Sequence, residues 1–202
     1  MLRLLSVLVV ALTLAACGGT PVTETPEPLG DFRLGFNIVQ TGGMEKGPFS
    51  RELPDETIRL AVRDAVEARL GRYDGDGLYD IGIAIGGYVL AQPGLPVVYT
   101  PKSAIVLEVN VYENATQTRL NPETKRIIAM EEAKNYTPLI GSGLVRDGNA
   151  QLQSLSRSAA VQIENWLRSN PGWFTPRPGR TRAEISRDEL RQRGEAAIRK
   201  GN

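Results

Sequence analysis

The side chains that most often carry out chemistry are scarce in this chain of 202 residues. It has no histidine and a single cysteine, Cys17, which ends an apolar run near the N-terminus. The absence of histidine excludes Ser-His-Asp and Cys-His catalysis and histidine-based zinc sites. One cysteine cannot form an intramolecular disulfide. An enzyme with this composition would have to rely on carboxylates, lysine or tyrosine.

Three aspartates are the only candidates for a metal site. The segment DGDGLYD places Asp74, Asp76 and Asp80 at relative positions 1, 3 and 7. An EF-hand calcium loop also needs a ligand at position 5 and a glutamate at position 12, where this chain has Ile85. These aspartates are therefore weak calcium candidates, and a turn between a helix and a strand is the favoured interpretation. We predict no metal and no cofactor.

Other motifs that could bind or transform a substrate are incomplete. The segment TGGMEKGP lacks the GK[ST] ending of a phosphate-binding loop. Glu131 and Glu132 are consecutive on a predicted strand, so they face opposite sides and do not form an acid–base pair. We expect them at a solvated strand end. No catalytic residue is predicted, and the protein is not expected to be an enzyme.

The N-terminus predicts export. Arg3 precedes an apolar stretch, Leu4 to Leu14, and the small residues Ala15 and Ala16 follow it. This stretch is shorter than the ~20 residues that span a bilayer as a helix. A short basic region, an apolar region and small residues are the layout of a secretory signal peptide. We therefore predict a signal peptide over residues 1–16.

The four residues Leu14-Ala15-Ala16-Cys17 resemble the lipobox of bacterial lipoproteins. The resemblance implies a diacylglycerol thioether on Cys17, cleavage before Cys17 and acylation of the new amino terminus. Two or more acyl chains give stable membrane anchoring. Gly18, rather than aspartate, follows the cysteine, which in this family implies the outer membrane with the protein facing the periplasm. The inner membrane stays open as an alternative.

Charge and composition divide the rest of the chain. Residues 17–30 are predicted to be the lipidated cysteine and a flexible, proline-containing tether. Residues 31–174 are long enough for a single α/β domain. Residues 175–202, with eight basic and four acidic side chains, are predicted to be a basic linker and a marginal helix. This tail could contact anionic lipid or an acidic partner, or have no partner. Since the body is weakly acidic, we expect no binding to nucleic acid.

Hydrophobic periodicity predicts an α+β fold in the order strand, helix, strand, strand, strand, helix. We expect a four-stranded, mainly antiparallel sheet with two amphipathic helices on one face, and the charged marginal helix after them. In the first strand, alternation places four apolar residues on one face: Phe32, Leu34, Phe36 and Ile38. In the second strand, one face is small: Asp80, Gly82, Ala84 and Gly86. A closely packed neighbour is the favoured explanation, and an acyl-chain groove is the alternative.

The predicted element order over residues 31–174 is similar to that of small α/β accessory lipoproteins of the outer membrane. This resemblance is one of fold only and implies no particular contact residues. It implies a non-enzymatic, membrane-anchored envelope lipoprotein with a protein partner. Its role would be accessory, scaffold or assembly, in an envelope or lipid-transport complex. The alternative is an anchored hydrolase that acts on envelope glycans or lipids, which would need two carboxylates ~5–9 Å apart.

Overall fold

A computed structural model describes residues 25–92, 102–131 and 147–201 of the protein. Cys17 and the predicted signal peptide lie outside these residues. The strands are β1 (Phe32–Gln40), β2 (Glu45–Lys46), β3 (Gly77–Val89), β4 (Ala104–Glu113), β5 (Thr118–Arg119) and β6 (Lys125–Met130). The helices are α1 (Asp55–Leu70), α2 (Gly148–Arg168) and α3 (Arg187–Gly201), with a 3-10 turn at Pro171–Phe174.

The described strands form one mixed sheet that packs with helices, so the predicted combination of a sheet and helices is confirmed. Its four long strands lie in the order β1-β3-β4-β6, with β1 parallel to β3 and the other pairs antiparallel. The prediction of four strands is wrong, because β2 pairs with β3 and β5 pairs with β4. These additional strands have two residues each, which is too short for alternation to reveal them.

Helices α1 and α2 pack against each other and against the sheet, and they form the core with it. Their apolar stripes are buried where the spacing predicted, for example at Val62 in α1 and Ile163 in α2. Alternate residues of β3 and β4 complete the core: Tyr79, Ile81, Ile83, Ile85, Ile105, Leu107, Val109 and Val111. Phe174 folds back onto this core and lies edge-on to the rings of Phe32 and Tyr79.

A bulge in β1 corrects the prediction for that strand. The pairing with β3 shifts between Leu34 and Asn37. Phe32 and Leu34 therefore face the core, whereas Phe36 and Ile38 are only partly buried and Val39 takes the next core position. A bulge adds one residue to one strand and reverses the faces beyond it, so strict alternation failed there.

The C-terminal segment is packed, in contrast to the marginal helix predicted from its composition. Helix α3 lies against β1, and Leu190 is 3% exposed. Arg187 forms two hydrogen bonds with Glu67 of α1, at 2.8 and 2.7 Å. Glu195 accepts hydrogen bonds from Arg59 and Arg63 of α1. The prediction considered only the few apolar side chains of the segment, whereas ion pairs make up much of the contact between α3 and α1.

No described helix combines the length and the apolar character that crossing a membrane requires.

Candidate functional site

One face of the sheet carries neither α1 nor α2, and we call it the open face. On β3 this face carries the small side chains predicted for it, and on β4 it carries Glu108, Asn110 and Tyr112. The β3 residues are Asp80, Gly82, Ala84 and Gly86. A groove of about 420 Å³ crosses this face, which lies within the range of small-ligand sites. Its lining is Phe36, Ile38, Gln40, Asp80, Ile81, Gly82, Ile83, Ala84, Glu108, Asn110, Tyr112, Gln117 and Thr124.

The small residues of β3 form the floor of this groove and are not covered by another described element. A Cβ atom placed on Gly82 would meet only the Tyr112 ring, at 3.6 Å, and one on Gly86 would meet Val106 at 3.8 Å or beyond. The favoured prediction of a closely packed neighbour therefore fails for the described residues. Helix α3 approaches only the β1 rim of the groove, where Gly194 lies against Ile38.

Asp80 lies at one end of the groove and is 7% exposed. Its carboxylate accepts hydrogen bonds from the backbone N–H of Phe36 at 2.7 Å, from the Asn114 amide at 2.9 Å and from the Gln117 amide at 3.3 Å. Burial raises the pKa of Asp80, while these three hydrogen bonds oppose the rise. Because Phe36 lies in the bulge, Asp80 holds the irregular part of β1 to β3.

Glu108 is the second carboxylate of the groove, and sequence patterning did not single it out. It is exposed and lies opposite Ala84, whereas Tyr112 lies opposite Asp80. This register separates the two acidic positions by four residues along the strands, about 13 Å at ~3.3 Å per residue. Paired carboxylates of glycoside hydrolases lie ~5–9.5 Å apart. The Asp80 carboxylate is already bonded to Phe36, Asn114 and Gln117, so the groove does not present the free pair of carboxylates that the hydrolase alternative needs.

The structure does not bring the three candidate aspartates together. Asp74 forms an ion pair with Arg182, whose guanidinium also lies 3.5 Å from Asp76. Asp80 makes the separate contacts given above. Within the described residues, no cluster of three acidic or other ligating side chains could hold a metal ion. The favoured interpretation as a turn fits Asp76, whose N–H donates to Asp31.

Glu164 is a buried carboxylate in another part of the protein, between α1 and α2. Arg69, Arg72 and Tyr73 all donate hydrogen bonds to it, at 2.6, 2.9 and 2.5 Å. Burial alone would raise the pKa of Glu164, but these hydrogen bonds outweigh it and lower the pKa. Burial and the contact with Glu164 raise the pKa of Tyr73 to about 12. This cluster joins the C-terminal end of α1 to α2.

Glu131 corrects a further expectation. It is buried, sharing a face with Ile127 and Ala129, and its two carboxylate oxygens have no hydrogen-bond partner within the described residues. It is therefore not at a solvated strand end, although Glu132 lies outside the described residues. Its position on the core side separates it from the groove. Alternation in β6 could have predicted this burial.

Comparison with known proteins gives no family assignment. No protein-family model matches the chain, and no curated protein matches it significantly. Several solved structures are similar in fold at low sequence identity.

One such structure is the PelC dodecamer from Paraburkholderia phytofirmans, with 12% identity and a TM-score of 0.36 over 70% of this chain and 92% of that one. A Caulobacter crescentus protein provisionally named a lipoprotein has 10% identity and a TM-score of 0.36, over 64% and 91% of the two chains. A minor lipoprotein from Acinetobacter baumannii has 11% identity and a TM-score of 0.24, over 66% and 90%. These similarities do not transfer any functional residue.

Proposed function

We propose that this protein is a non-enzymatic lipoprotein of the cell envelope, anchored through Cys17, which holds a partner on its open face. The observation that carries the proposal is that open face, where a groove crosses small residues that no described element covers. An uncovered sheet face with a groove is a surface for binding. The role is that of an accessory or scaffold component of an envelope complex.

The distribution of carboxylates supports binding rather than hydrolysis. In the groove, the Asp80 carboxylate is held by hydrogen bonds from Phe36, Asn114 and Gln117, so it does not form a free catalytic pair with Glu108. Elsewhere, Glu164 and Glu113 are occupied by arginines. The anchored hydrolase is therefore the weaker alternative.

Contact with a protein partner is supported by apolar side chains beside the groove. Ile128 and Met130 of β6 are each 50% exposed and lie opposite Val106 and Ala104, on the open face. Exposed apolar side chains grouped on one face are typical of protein–protein contacts. A partner in the envelope could therefore cover β6 while the groove stays accessible.

The proposed organisation places a signal peptide at residues 1–16 and a lipidated tether at 17–30. The domain at 31–174 and the tail at 175–202 follow. The chain enters the described part beside the end of α2, where the Arg168 guanidinium lies 3.8 Å from the Glu27 carboxylate. The ten residues from Cys17 to Glu27 can span at most about 36 Å. This length allows the domain to turn relative to the membrane, in either the outer or the inner membrane.

Metabolic labelling with palmitate tests the anchor. We expect the wild-type chain to take up label and to fractionate with membranes, whereas Cys17→Ser should take up no label and should shift to soluble or uncleaved forms. Gly18→Asp is the matched control, because it keeps the thiol and should keep the label while favouring the inner membrane. Label on the Cys17→Ser variant would contradict the proposal.

A further inference from the structure

Strand β6 lies at an edge of the sheet, and one side of its backbone is unpaired. Glu131, directly after the strand, donates its N–H to the carbonyl oxygen of Ser103, and the pairing with β4 runs through the whole strand without a shift. In an antiparallel ladder, alternate residues direct both of their backbone groups to the same neighbour. The N–H and C=O groups of Arg126, Ile128 and Met130 therefore point away from β4, and no other part of the described chain bonds them. This edge can pair with a further strand.

The side chains of this edge also lack partners on both faces of the sheet. Ile128 and Met130 are each 50% exposed on the open face. On the core face, Glu131 is 5% exposed and both of its carboxylate oxygens are without a hydrogen bond from the described residues. A buried carboxylate without a partner is costly, so this position favours the approach of a cation. Lys125, at the opposite end of the strand, is exposed and forms no ion pair within the described part of the chain.

These features are complementary to each other, so the strand fits a second copy of itself. Consider two β6 strands that run antiparallel about a two-fold axis at Ile128. Ile128 then lies opposite its own copy, and the Lys125 of each copy lies opposite the Glu131 of the other. Directly opposite residues have Cβ atoms ~4.5–5.5 Å apart, which lets the ammonium group reach the carboxylate. On the open face, Arg126 lies opposite Met130 of the second copy and beside Glu108 of its own.

Charge selects this register over its neighbours. The outward backbone groups of the two strands must face each other, so the register can change only in steps of two residues. One step places Glu131 opposite Glu123 of the second copy, and the two carboxylates repel. The other step places Glu131 opposite Ile127, which leaves the carboxylate unpaired. The register centred on Ile128 pairs Glu131 with a cation at both ends of the contact.

We propose that the β6 edge binds the β6 edge of a second copy of this chain, so that two sheets join into one continuous sheet. The proposal rests on the binding role given above, for which it names one partner. The contact is isologous, because each copy uses the same surface, and it therefore closes as a dimer.

Disulfide trapping tests the register. Cys17→Ser removes the single cysteine of the chain, so a cysteine added to that background reports one position. In the full chain in detergent, Ile128→Cys should give a disulfide-linked dimer on mild oxidation, because opposite residues have Cα atoms ~5.5 Å apart, within the span of a disulfide. Arg126→Cys is the matched control on the same edge and face. Its two copies would lie about 13 Å apart along the strands, at ~3.3 Å per residue, and should stay unlinked.

A mixture of two variants gives a second reading of the register. Arg126→Cys and Met130→Cys, each in the Cys17→Ser background, should link to each other and not to themselves. Equal trapping of Ile128→Cys and Arg126→Cys, or trapping of neither, would overturn the proposal.

Sedimentation equilibrium of the full chain in detergent measures the strength of the dimer. Lys125→Glu places like charges opposite each other and should weaken self-association at least about tenfold. Lys200→Glu, the same change at an exposed position of α3, is the matched control and should leave it unchanged. Ile128→Pro removes an outward N–H without taking a hydrogen bond from β4, and it should abolish the dimer. A monomeric wild type, or a Lys125→Glu dimer as strong as that of the wild type, would overturn the proposal.

These measurements are independent of the anchor, because the solubilised chain presents β6 whether or not residue 17 carries lipid. Wild-type protein without a palmitate label would overturn the anchored role and leave the dimer in place. A labelled wild type that stays monomeric would overturn the dimer and leave β6 to a different protein.

Discussion

At the scale of single residues, Asp80 shows how a candidate for chemistry can have a structural role. Its spacing from Asp74 and Asp76 resembles part of a calcium loop, but its carboxylate bonds the backbone of the β1 bulge. Gly35 lies directly over it, and a Cβ atom there would overlap Oδ1 of Asp80. The carboxylate of Asp80 therefore has room at this position only because residue 35 has no side chain.

Gly35→Ala is predicted to destabilise the protein by roughly 1–3 kcal/mol, because the added methyl group must displace Asp80 or the bulge. This corresponds to a lower melting temperature by several degrees, at about 2–4 °C per kcal/mol. Gly42→Ala is the control, since a Cβ atom at Gly42 meets nothing within 4 Å. Equal melting temperatures for the two variants would contradict the close approach at Gly35.

Glu164 should make stability depend on acid pH. Its pKa is lowered in the folded protein, so its contribution is present above the unfolded-state pKa of about 4.3 and is lost as pH falls through the folded value. Glu164→Gln removes a buried negative charge that Arg69 and Arg72 contact and should cost roughly 3–5 kcal/mol at pH 7.

Urea unfolding at pH 7 and near pH 3 measures the effect of Glu164→Gln. The difference in unfolding free energy between wild type and variant should shrink at the lower pH. Glu123→Gln, at an exposed position, should change stability by no more than about 0.5 kcal/mol. A difference that stays constant with pH would show that the charge of Glu164 is not what matters.

At the scale of elements, the apolar stripes of α1 and α2 predicted correctly which faces are buried, whereas the alternation in β1 did not. Each helix repeats its buried positions over four or more turns. An error of one residue in the predicted end of a helix therefore does not change which of its faces is buried. A single bulge in a nine-residue strand exchanges its two faces. The bulge thus brings Phe36 and Ile38 to the groove instead of the core.

The buried stripe of α2 predicts the outcome of a charge substitution. Ile163→Asp would place an unpaired carboxylate in the core and should cost several kcal/mol, comparable to the stability of a whole domain. Asn165→Asp, on the exposed side of the same helix, is the matched control. Thermal melting should lose its cooperative transition for the first variant only. Cooperative melting of Ile163→Asp at the wild-type temperature would show that the stripe is not buried.

At the scale of the whole molecule, the C-terminal segment is tied to the body at both of its ends. Arg180 in the linker lies 2.5 Å from Asp31 and 2.7 Å from Glu113, both of which are largely buried. Farther along, Leu190 and Glu195 of α3 join β1 and α1. Much of the basic charge in the tail is therefore paired within the molecule and is less available for lipid than its composition suggests.

Deletion of residues 177–202 is expected to lower the melting temperature by at least about 4 °C, because it exposes apolar surface under Leu190 and leaves Asp31 and Glu113 without Arg180. Arg180→Gln removes only the ion pairs with Asp31 and Glu113 and leaves Leu190 packed. It should therefore lower the melting temperature by part of the amount that the deletion does. Arg193→Gln, whose ion pair with Glu189 is exposed, is the control. An unchanged melting temperature after the deletion would contradict this packing and favour the marginal helix that composition predicts.

Local sequence determined the class of fold and the interpretation of the N-terminus. The helix stripes and the buried faces of β3 and β4 follow from periodicity, because each depends on residues close together in the chain. The resemblance of Leu14–Cys17 to a lipobox is equally local, and it stays a prediction. The absence of histidine restricts the available chemistry by composition alone, whatever the fold.

Only the tertiary structure decided the groove, the role of Asp80 and the packing of the tail. Glu108 and Ala84 meet because of the β3–β4 register, and no local pattern states which residues will lie opposite each other. Similarly, Glu195 reaches Arg59 across 136 positions of sequence. Contacts between distant segments depend on how the elements pack together, so composition alone understated how firmly a charged segment could be held.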